Sequence, residues 1–199
     1  MKLIVVRHAE TVENTFGVFQ SHNPGVLSET GKVQAEKLAK RLLKEDIDVV
    51  YSSDLGRCKE TLAPFLKLRD VPVVYTGELR EWHFGVFTGR KLGEFYGWLE
   101  ERGLRWNFDV NIPSGENYMD VLKRVRKFLD KLIKKHKGGC VLVVTHGAVK
   151  VAIMLSLFNK PVDKENYRKY KAANTALTVV EVTDKGREVK VLNSLSHLE

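Results

Sequence analysis

Two histidines of the 199-residue chain follow short apolar segments. His8 comes after segment 2–6 and Arg7, and His146 comes after segment 141–145. Both segments are rich in β-branched residues, as is typical of buried strands in a parallel sheet, so each histidine is predicted at the carboxyl end of a strand. Ligands of open α/β sheets bind at that edge, which makes both imidazoles candidates for chemistry.

Arg7 stands immediately before His8. A neutral imidazole is a good nucleophile at physiological pH, and a guanidinium holds phosphate oxygens in its planar fork, so the pair has the composition of a phosphoryl acceptor site. A strand-end histidine is nevertheless more often a structural hydrogen-bonding residue. Two further residues favour the chemical interpretation: Arg57, predicted in the first turn of a helix, and Glu81, which precedes an aromatic, glycine-rich turn.

The elements that would position these residues follow an α/β pattern. Strands are predicted over six segments: 2–6, 48–52, 71–75, 140–145, 176–183 and 188–193. Ser28 is predicted to cap a helix that runs through Glu45, and Asp54 to cap the helix that carries Arg57. Apolar residues recur at spacings of three and four over 118–133, which predicts an amphipathic helix there. This alternation predicts a three-layer α/β sandwich with a mostly parallel sheet.

The pattern changes in two places. Segment 184–186, Asp-Lys-Gly, is a turn signal between the last two strands and predicts a hairpin with an antiparallel edge strand. Between about 82 and 115, glycines are mixed with aromatic residues, which predicts a short helical cap insertion that lies part-exposed over a pocket. Because the composition does not shift and no linker is visible, residues 1–199 are expected to form one domain.

Composition argues against several classes of protein. No apolar run approaches the roughly 18 residues of a membrane span, and no signal peptide is recognisable, so we expect a cytoplasmic protein without a membrane partner. Two cysteines, Cys58 and Cys140, fit a reducing compartment. The polar faces of helices account for most of the formal net charge of +8, and we expect no nucleic-acid partner. Only two glutamines occur, which points, from composition alone, to a thermophilic source.

The candidate residues and their neighbours resemble, in order along essentially the whole chain, the motifs of the histidine phosphatase superfamily. That family includes cofactor-dependent phosphoglycerate mutases and their phosphatase relatives. The segments that carry the resemblance are Arg7-His8-Ala9-Glu10-Thr11 with Asn14, Leu27-Ser28 with Gly31 and Gln34-Ala35, Ser52-Ser53 with Arg57, Glu81 with Phe84-Gly85, Pro113-Ser114-Gly115-Glu116, and Thr145-His146-Gly147. In one departure Ala9 replaces the usual glycine, which is expected to add a methyl near the phosphate; in another, segment 17–20 lacks the usual arginine.

The resemblance implies a mechanism that uses no metal and no cofactor. His8 is expected to attack phosphorus and become a phosphohistidine, while the phosphate oxygens bind Arg7, Arg57 and His146. Glu81 is expected to protonate the leaving oxygen and then to take a proton from the attacking water. Four further residues are expected to bind the substrate: Asn14, Gln20, Ser21 and Gly147.

The resemblance leaves three functions open. We favour a phosphomonoesterase that acts on small, anionic phosphorylated metabolites over a mutase. Mutases of this kind carry an arginine pair in a longer insertion after the catalytic glutamate, and segment 94–109 has no adjacent pair. The third interpretation is a regulatory module that binds phosphoryl groups without turnover. Relatives are often dimers or tetramers, so a homo-oligomer is compatible with the resemblance.

Overall fold

The computed structural model describes residues 1–199 and is built around six strands. They are β1 (Lys2–Arg7), β2 (Val49–Ser53), β3 (Val73–Thr76), β4 (Cys140–Thr145), β5 (Leu177–Thr183) and β6 (Gly186–Ser194). They form one sheet in the order β3-β2-β4-β1-β5-β6. The first four strands pair in parallel, whereas β5 pairs antiparallel with both β1 and β6. The mostly parallel sheet and the antiparallel hairpin at its edge are confirmed.

Helices cover both faces of this sheet. They are α1 (Val12–Thr15), α2 (Glu29–Leu42), α3 (Gly56–Leu68), α4 (Leu92–Glu101), α5 (Tyr118–Lys135), α6 (Gly147–Leu157) and α7 (Lys164–Tyr170). Successive side chains of a strand point to opposite faces. In β1, Leu3 and Val5 therefore pack in the core that holds α5 and α6, while Ile4 and Val6 pack in the core that holds α2 and α3. The three-layer sandwich is confirmed. None of the seven helices has the length and apolar character to cross a membrane.

The parallel pairing of β1 with β4 brings the two candidate histidines together. In the register of these strands, Arg7 lies opposite Thr145, the last residues of β1 and β4. His8 and His146 are the next residues along each strand, and their ring centroids are 5.2 Å apart. Both strands carry an unbroken apolar stretch that is buried on both faces, so the predicted position at the carboxyl edge is confirmed.

Two helix ends differ from the predictions. The Ser28 hydroxyl accepts the N–H of Gly31 and caps α2 as predicted, but the helix ends at Leu42 rather than at Glu45. The residue before α3 is Leu55, which makes no side-chain cap, so the prediction for Asp54 is wrong.

Asp54 instead receives two hydrogen bonds from the Arg80 guanidinium, at 2.7 and 2.6 Å. This bidentate ion pair orients both carboxylate oxygens toward Arg80 and not toward the helix amides.

The cap segment 82–115 holds one helix, α4, between loops. Four of its aromatic residues, Trp82, Phe84, Phe87 and Phe95, are at most 8 % exposed and belong to the same core as α5 and α6. The expectation of a part-exposed lid is therefore wrong for these four residues, because their rings pack on one another on the inner side of the cap. Gly85 permits this closure: its φ is +49°, and a Cβ there would lie 2.0 Å from a backbone oxygen of the facing loop.

Candidate active site

His8 lies at the bottom of a cavity at the carboxyl edge of β1. The imidazole is 2 % exposed, and its Nδ1 is 2.7 Å from the Ala9 carbonyl oxygen. Since a carbonyl only accepts hydrogen bonds, Nδ1 carries the proton and Nε2 keeps its lone pair. Burial, and then the charges of Arg57 and Arg7, hold the pKa of His8 well below its usual value. His8 is therefore a neutral imidazole with a free nitrogen, which is the form a nucleophile needs.

The cavity around His8 has a volume of about 150 Å³. Eight of the nine predicted site residues line it, and His146 is the exception: the eight are Arg7, His8, Asn14, Gln20, Ser21, Arg57, Glu81 and Gly147. Ala9 does not line the cavity, and its methyl packs in a small apolar cluster with Leu27 and Ala35.

Arg7 offers an unpaired cationic donor to this cavity. One terminal nitrogen donates to the Ala172 carbonyl at 2.8 Å, whereas the buried Nε has no hydrogen-bond partner. Burial lowers the pKa of Arg7, although a guanidinium stays protonated at any ordinary pH. A buried, unpaired cationic N–H is costly, and an anion bound in the cavity would satisfy it.

The Arg57 guanidinium, which is predicted to bind the phosphate, donates most of its hydrogen bonds to the protein itself. Its Nε donates to His146 Nδ1 at 3.1 Å, and its terminal nitrogens donate to the carbonyls of Ser21 (2.9 Å), Asn23 (2.6 Å) and Pro24 (3.4 Å). These four acceptors leave one of its five N–H groups for a ligand. Arg57 therefore fixes loop 21–24 at the cavity and offers the phosphate a single donor rather than a fork.

His146 lies behind Arg57 and is fully buried. Its Nδ1 accepts from Arg57, so its Nε2 carries the proton, 2.8 Å from the Ser53 hydroxyl. Burial and the charge of Arg57 hold the pKa of His146 well below its usual value, which keeps the ring neutral. Both ring nitrogens have protein partners and the ring does not line the cavity, so the expected contact between His146 and the phosphate stays a prediction. What His146 does here is orient Arg57.

Glu81 is anchored beside the first turn of α6. Its Oε1 accepts the N–H of Trp82 at 2.9 Å and that of Ala148 at 3.2 Å. A Cβ built on Gly147 would lie 3.7 Å from both Glu81 Oε2 and Arg7 Nε, so the carboxylate and the guanidinium both lie next to this glycine, which lines the cavity. Glu81 is thus placed where it can exchange a proton with a group bound next to Arg7.

Two residues beneath Glu81 were missed in the sequence. The Glu81 carbonyl is 2.8 Å from His22 Nε2 and 3.1 Å from Arg124 NH2, which also pairs with Glu116. His22 therefore packs beneath the acid and contacts its backbone. In the sequence, Arg124 is one of several charged residues on the polar face of α5. Its hydrogen bond to the Glu81 backbone becomes visible only in the fold.

A second missed set lies on segment 172–176. Asn174 Nδ2 donates to the His8 carbonyl at 3.0 Å and to Asn14 Oδ1 at 3.1 Å. The Thr175 N–H donates to the Arg7 carbonyl at 3.0 Å. These bonds fix the end of β1 against the segment that leads into β5. The residues they join are more than 160 positions apart in the sequence, so no local pattern predicts them.

Cys58 is buried against His146, with its Sγ 3.6 Å from Nε2. Burial raises the pKa of Cys58 to about 12, which leaves almost no thiolate at neutral pH. Cys58 is therefore a packed thiol and not a second nucleophile.

The fold and the site define an α/β protein with an anion cavity built around a neutral, strand-end histidine. The sequence profile of the histidine phosphatase superfamily (branch 1) matches residues 3–195, and the chain belongs to this family.

Known proteins resemble the chain over nearly its full length. It is 34 % identical to a probable phosphatase of Schizosaccharomyces pombe, over 100 % of this chain and 96 % of the relative. It is 31 % identical to phosphoserine phosphatase 1 of Hydrogenobacter thermophilus, over 100 % of this chain and 94 % of the relative. Among solved structures, YhfR of Bacillus stearothermophilus superposes with a TM-score of 0.90 at 28 % identity, over 100 % and 99 % of the two chains.

Proposed function

We propose that the protein is a phosphomonoesterase that hydrolyses small phosphorylated metabolites through a phosphohistidine on His8, without a metal or a cofactor. The observation that carries the proposal is the free Nε2 of a neutral His8 in a cavity that also holds Arg7 and Glu81. Membership of the histidine phosphatase superfamily and relatives named as phosphatases support it.

In the first step, His8 Nε2 attacks phosphorus. A bond forms between Nε2 and phosphorus, and the bond from phosphorus to the leaving oxygen breaks. Glu81, in its protonated form, gives its proton to that oxygen, and the alcohol departs. The unpaired Nε of Arg7 and the remaining N–H of Arg57 stabilise the charge that spreads over the phosphoryl oxygens.

In the second step, water attacks the phosphohistidine. The oxygen of the water bonds to phosphorus, the bond to Nε2 breaks, and the Glu81 carboxylate takes the proton of the water. Inorganic phosphate leaves, His8 is again neutral, and Glu81 is again protonated. Asn14 contributes an amide at the cavity wall, and its own position is fixed by Asn174.

The proposal is tested by removing the nucleophile. His8→Ala is expected to lose nearly all hydrolysis of 4-nitrophenyl phosphate, and radiolabelled substrate is expected to leave an acid-labile phosphoenzyme on the unsubstituted protein only. Addition of EDTA should not change the rate.

His136→Ala is the matched control, since His136 contacts Tyr51 at the opposite end of the strands. It should keep its activity. Hydrolysis that survives in His8→Ala would overturn the role of His8 as nucleophile. No hydrolysis by the unsubstituted protein would overturn the proposal and favour the regulatory module.

The mutase interpretation is tested with phosphoglycerates in the presence of a bisphosphoglycerate. The structure adds one observation in its favour: Arg105 and two further cations from α7 and its end line a cavity beside the site, although segment 94–109 has no adjacent pair. Release of inorganic phosphate is expected to exceed isomerisation. A cytoplasmic location, a thermophilic source, a homo-oligomer and the lack of a nucleic-acid partner stay predictions.

A further inference from the structure

A second cavity of about 280 Å³ opens beside the catalytic one. The two adjoin, since they share five lining residues: Phe19, Phe84, Tyr96, Tyr167 and Lys171. Four of the eight other residues that line the second cavity are aromatic: Trp82, Phe95, Trp106 and Phe108. A phosphate held at His8 would therefore place the rest of its ester against a wall of rings, which favours flat or apolar groups.

The charges along this wall are almost all positive. Arg105, Arg168 and Lys171 line the second cavity, whereas Glu81 is the one carboxylate that lines either cavity. Arg105 pairs with Glu100 at 2.9 Å. No carboxylate lies within 4.0 Å of the nitrogens of Arg168 or Lys171. Two unpaired cations therefore face the space that a leaving group would fill.

The Trp106 ring lies against two of the three cations, Arg105 and Arg168. The Arg168 guanidinium lies 5.0 Å from its ring centroid, and that of Arg105 lies 5.6 Å away, distances at which a cation is attracted to an aromatic face. The backbone of Trp106 has a φ of +67°, in the left-handed region that a bulky side chain rarely adopts. The loop thus accepts a strained conformation that turns this ring toward α7.

We propose that the substrate of this enzyme carries, besides its phosphate, a flat apolar group that fills the aromatic cavity and an anionic group that binds Arg168 and Lys171. The inference rests on the proposed phosphomonoesterase function and narrows its substrate class. It disfavours phosphoserine, which has no flat apolar group and whose ammonium would enter a cavity where the one carboxylate, Glu81, is needed for proton transfer.

Three aryl phosphates that differ in one charge test the proposal: 4-carboxyphenyl phosphate, phenyl phosphate and 4-(aminomethyl)phenyl phosphate. We expect kcat/KM to fall in that order, with the anionic ester about tenfold better than the neutral one, since a hydrogen bond to a charged group is worth about one such factor. The advantage should shrink at high salt, because the cations are exposed. Phosphoserine should be the poorest of the esters tested.

Arg168→Gln should remove most of the tenfold preference, whereas Lys169→Gln should keep it. Lys169 is the neighbouring exposed cation on α7 and lines neither cavity. Trp106→Ala should lower kcat/KM for all three aryl esters and change glycerol 2-phosphate little. Product inhibition of the unsubstituted protein gives an independent measurement that does not depend on how variants fold: 4-hydroxybenzoate should inhibit about tenfold more strongly than phenol.

The two proposals fail in different ways. If phenyl phosphate is hydrolysed and the activity depends on His8, the phosphomonoesterase stands. The inference is then overturned by equal rates on the three esters, by a preference for the ammonium ester or phosphoserine, or by equal inhibition by the two phenols. If no ester is hydrolysed, both proposals are overturned.

Discussion

Replacement of Arg57 by lysine keeps the charge and removes the geometry of the guanidinium. Arg57 is 1 % exposed and bonds His146, Ser21 and Asn23 at 3.1, 2.9 and 2.6 Å. A lysine ammonium is a single point of donation on a flexible stem and reaches one of these three acceptors at a time. Two hydrogen bonds to a charged group, each worth about 1.5–3 kcal/mol, are therefore lost.

The expected loss in the free energy of unfolding is about 3 kcal/mol, the lower end of that sum, because the remaining ammonium still neutralises part of the site. For a chain of this size, 1 kcal/mol corresponds to about 2–4 °C, so Arg57→Lys should melt about 6–12 °C lower. Activity should fall further than stability explains. With the fixed N–H toward the phosphate gone, kcat should drop about 100-fold, as for the loss of one donor to a developing oxyanion.

Thermal unfolding by calorimetry and steady-state hydrolysis of 4-nitrophenyl phosphate measure the two effects. Arg126→Lys is the matched control, since Arg126 is exposed on α5, and its free energy of unfolding should stay within about 0.5 kcal/mol of the unsubstituted value. If Arg57→Lys melts within about 2 °C of the unsubstituted protein, the bonds to the loop and to His146 do not have the assigned strength.

Two further predictions concern Glu81 and Lys150. In Glu81→Gln, the amide oxygen still accepts from Trp82 and Ala148, so the fold is kept. Hydrolysis of alkyl phosphates should slow by about 10²–10⁴-fold, whereas that of 4-nitrophenyl phosphate, which has a better leaving group, should slow much less. Equal losses for the two kinds of ester would contradict the role of Glu81 as proton donor. Burial lowers the pKa of Lys150 to about 7, and its ammonium donates to the Ala176 carbonyl. The unfolded chain keeps this proton up to about pH 10.4, so it binds more protons than the folded chain between pH 7 and 10. Lys150 therefore makes the free energy of unfolding rise with pH in this range, by up to about 1.4 kcal/mol per pH unit. The free energy of unfolding of Lys150→Met, measured by chemical denaturation at several pH values in this range, should rise less steeply with pH. An unchanged dependence on pH would refute the assignment.

Local sequence patterns predicted most of the elements because those patterns follow from burial. The β-branched stretches before His8 and His146 can be covered only inside a parallel sheet, and their strands end within a residue or two of the predicted positions. The stripe from Tyr118 to Leu132 is buried along α5 as predicted, while Ile133 is only partly buried. Asp54 shows where such reasoning fails: the residue type suits a cap, but Arg80, from a distant segment, binds both carboxylate oxygens.

The sequence by itself determined the chemical groups of the site: His8 as nucleophile candidate, Arg7 and Arg57 as cations, and Glu81 as acid, each on the element that its neighbours predict. The tertiary structure decided how those groups are used. It gave His146 a hydrogen bond from Arg57, and it brought Asn174, from the segment before β5, against the end of β1. It also placed Arg168 and Lys171 beside the rings of the cap. These outcomes depend on distances between segments that are far apart along the chain, which are fixed only when the layers pack.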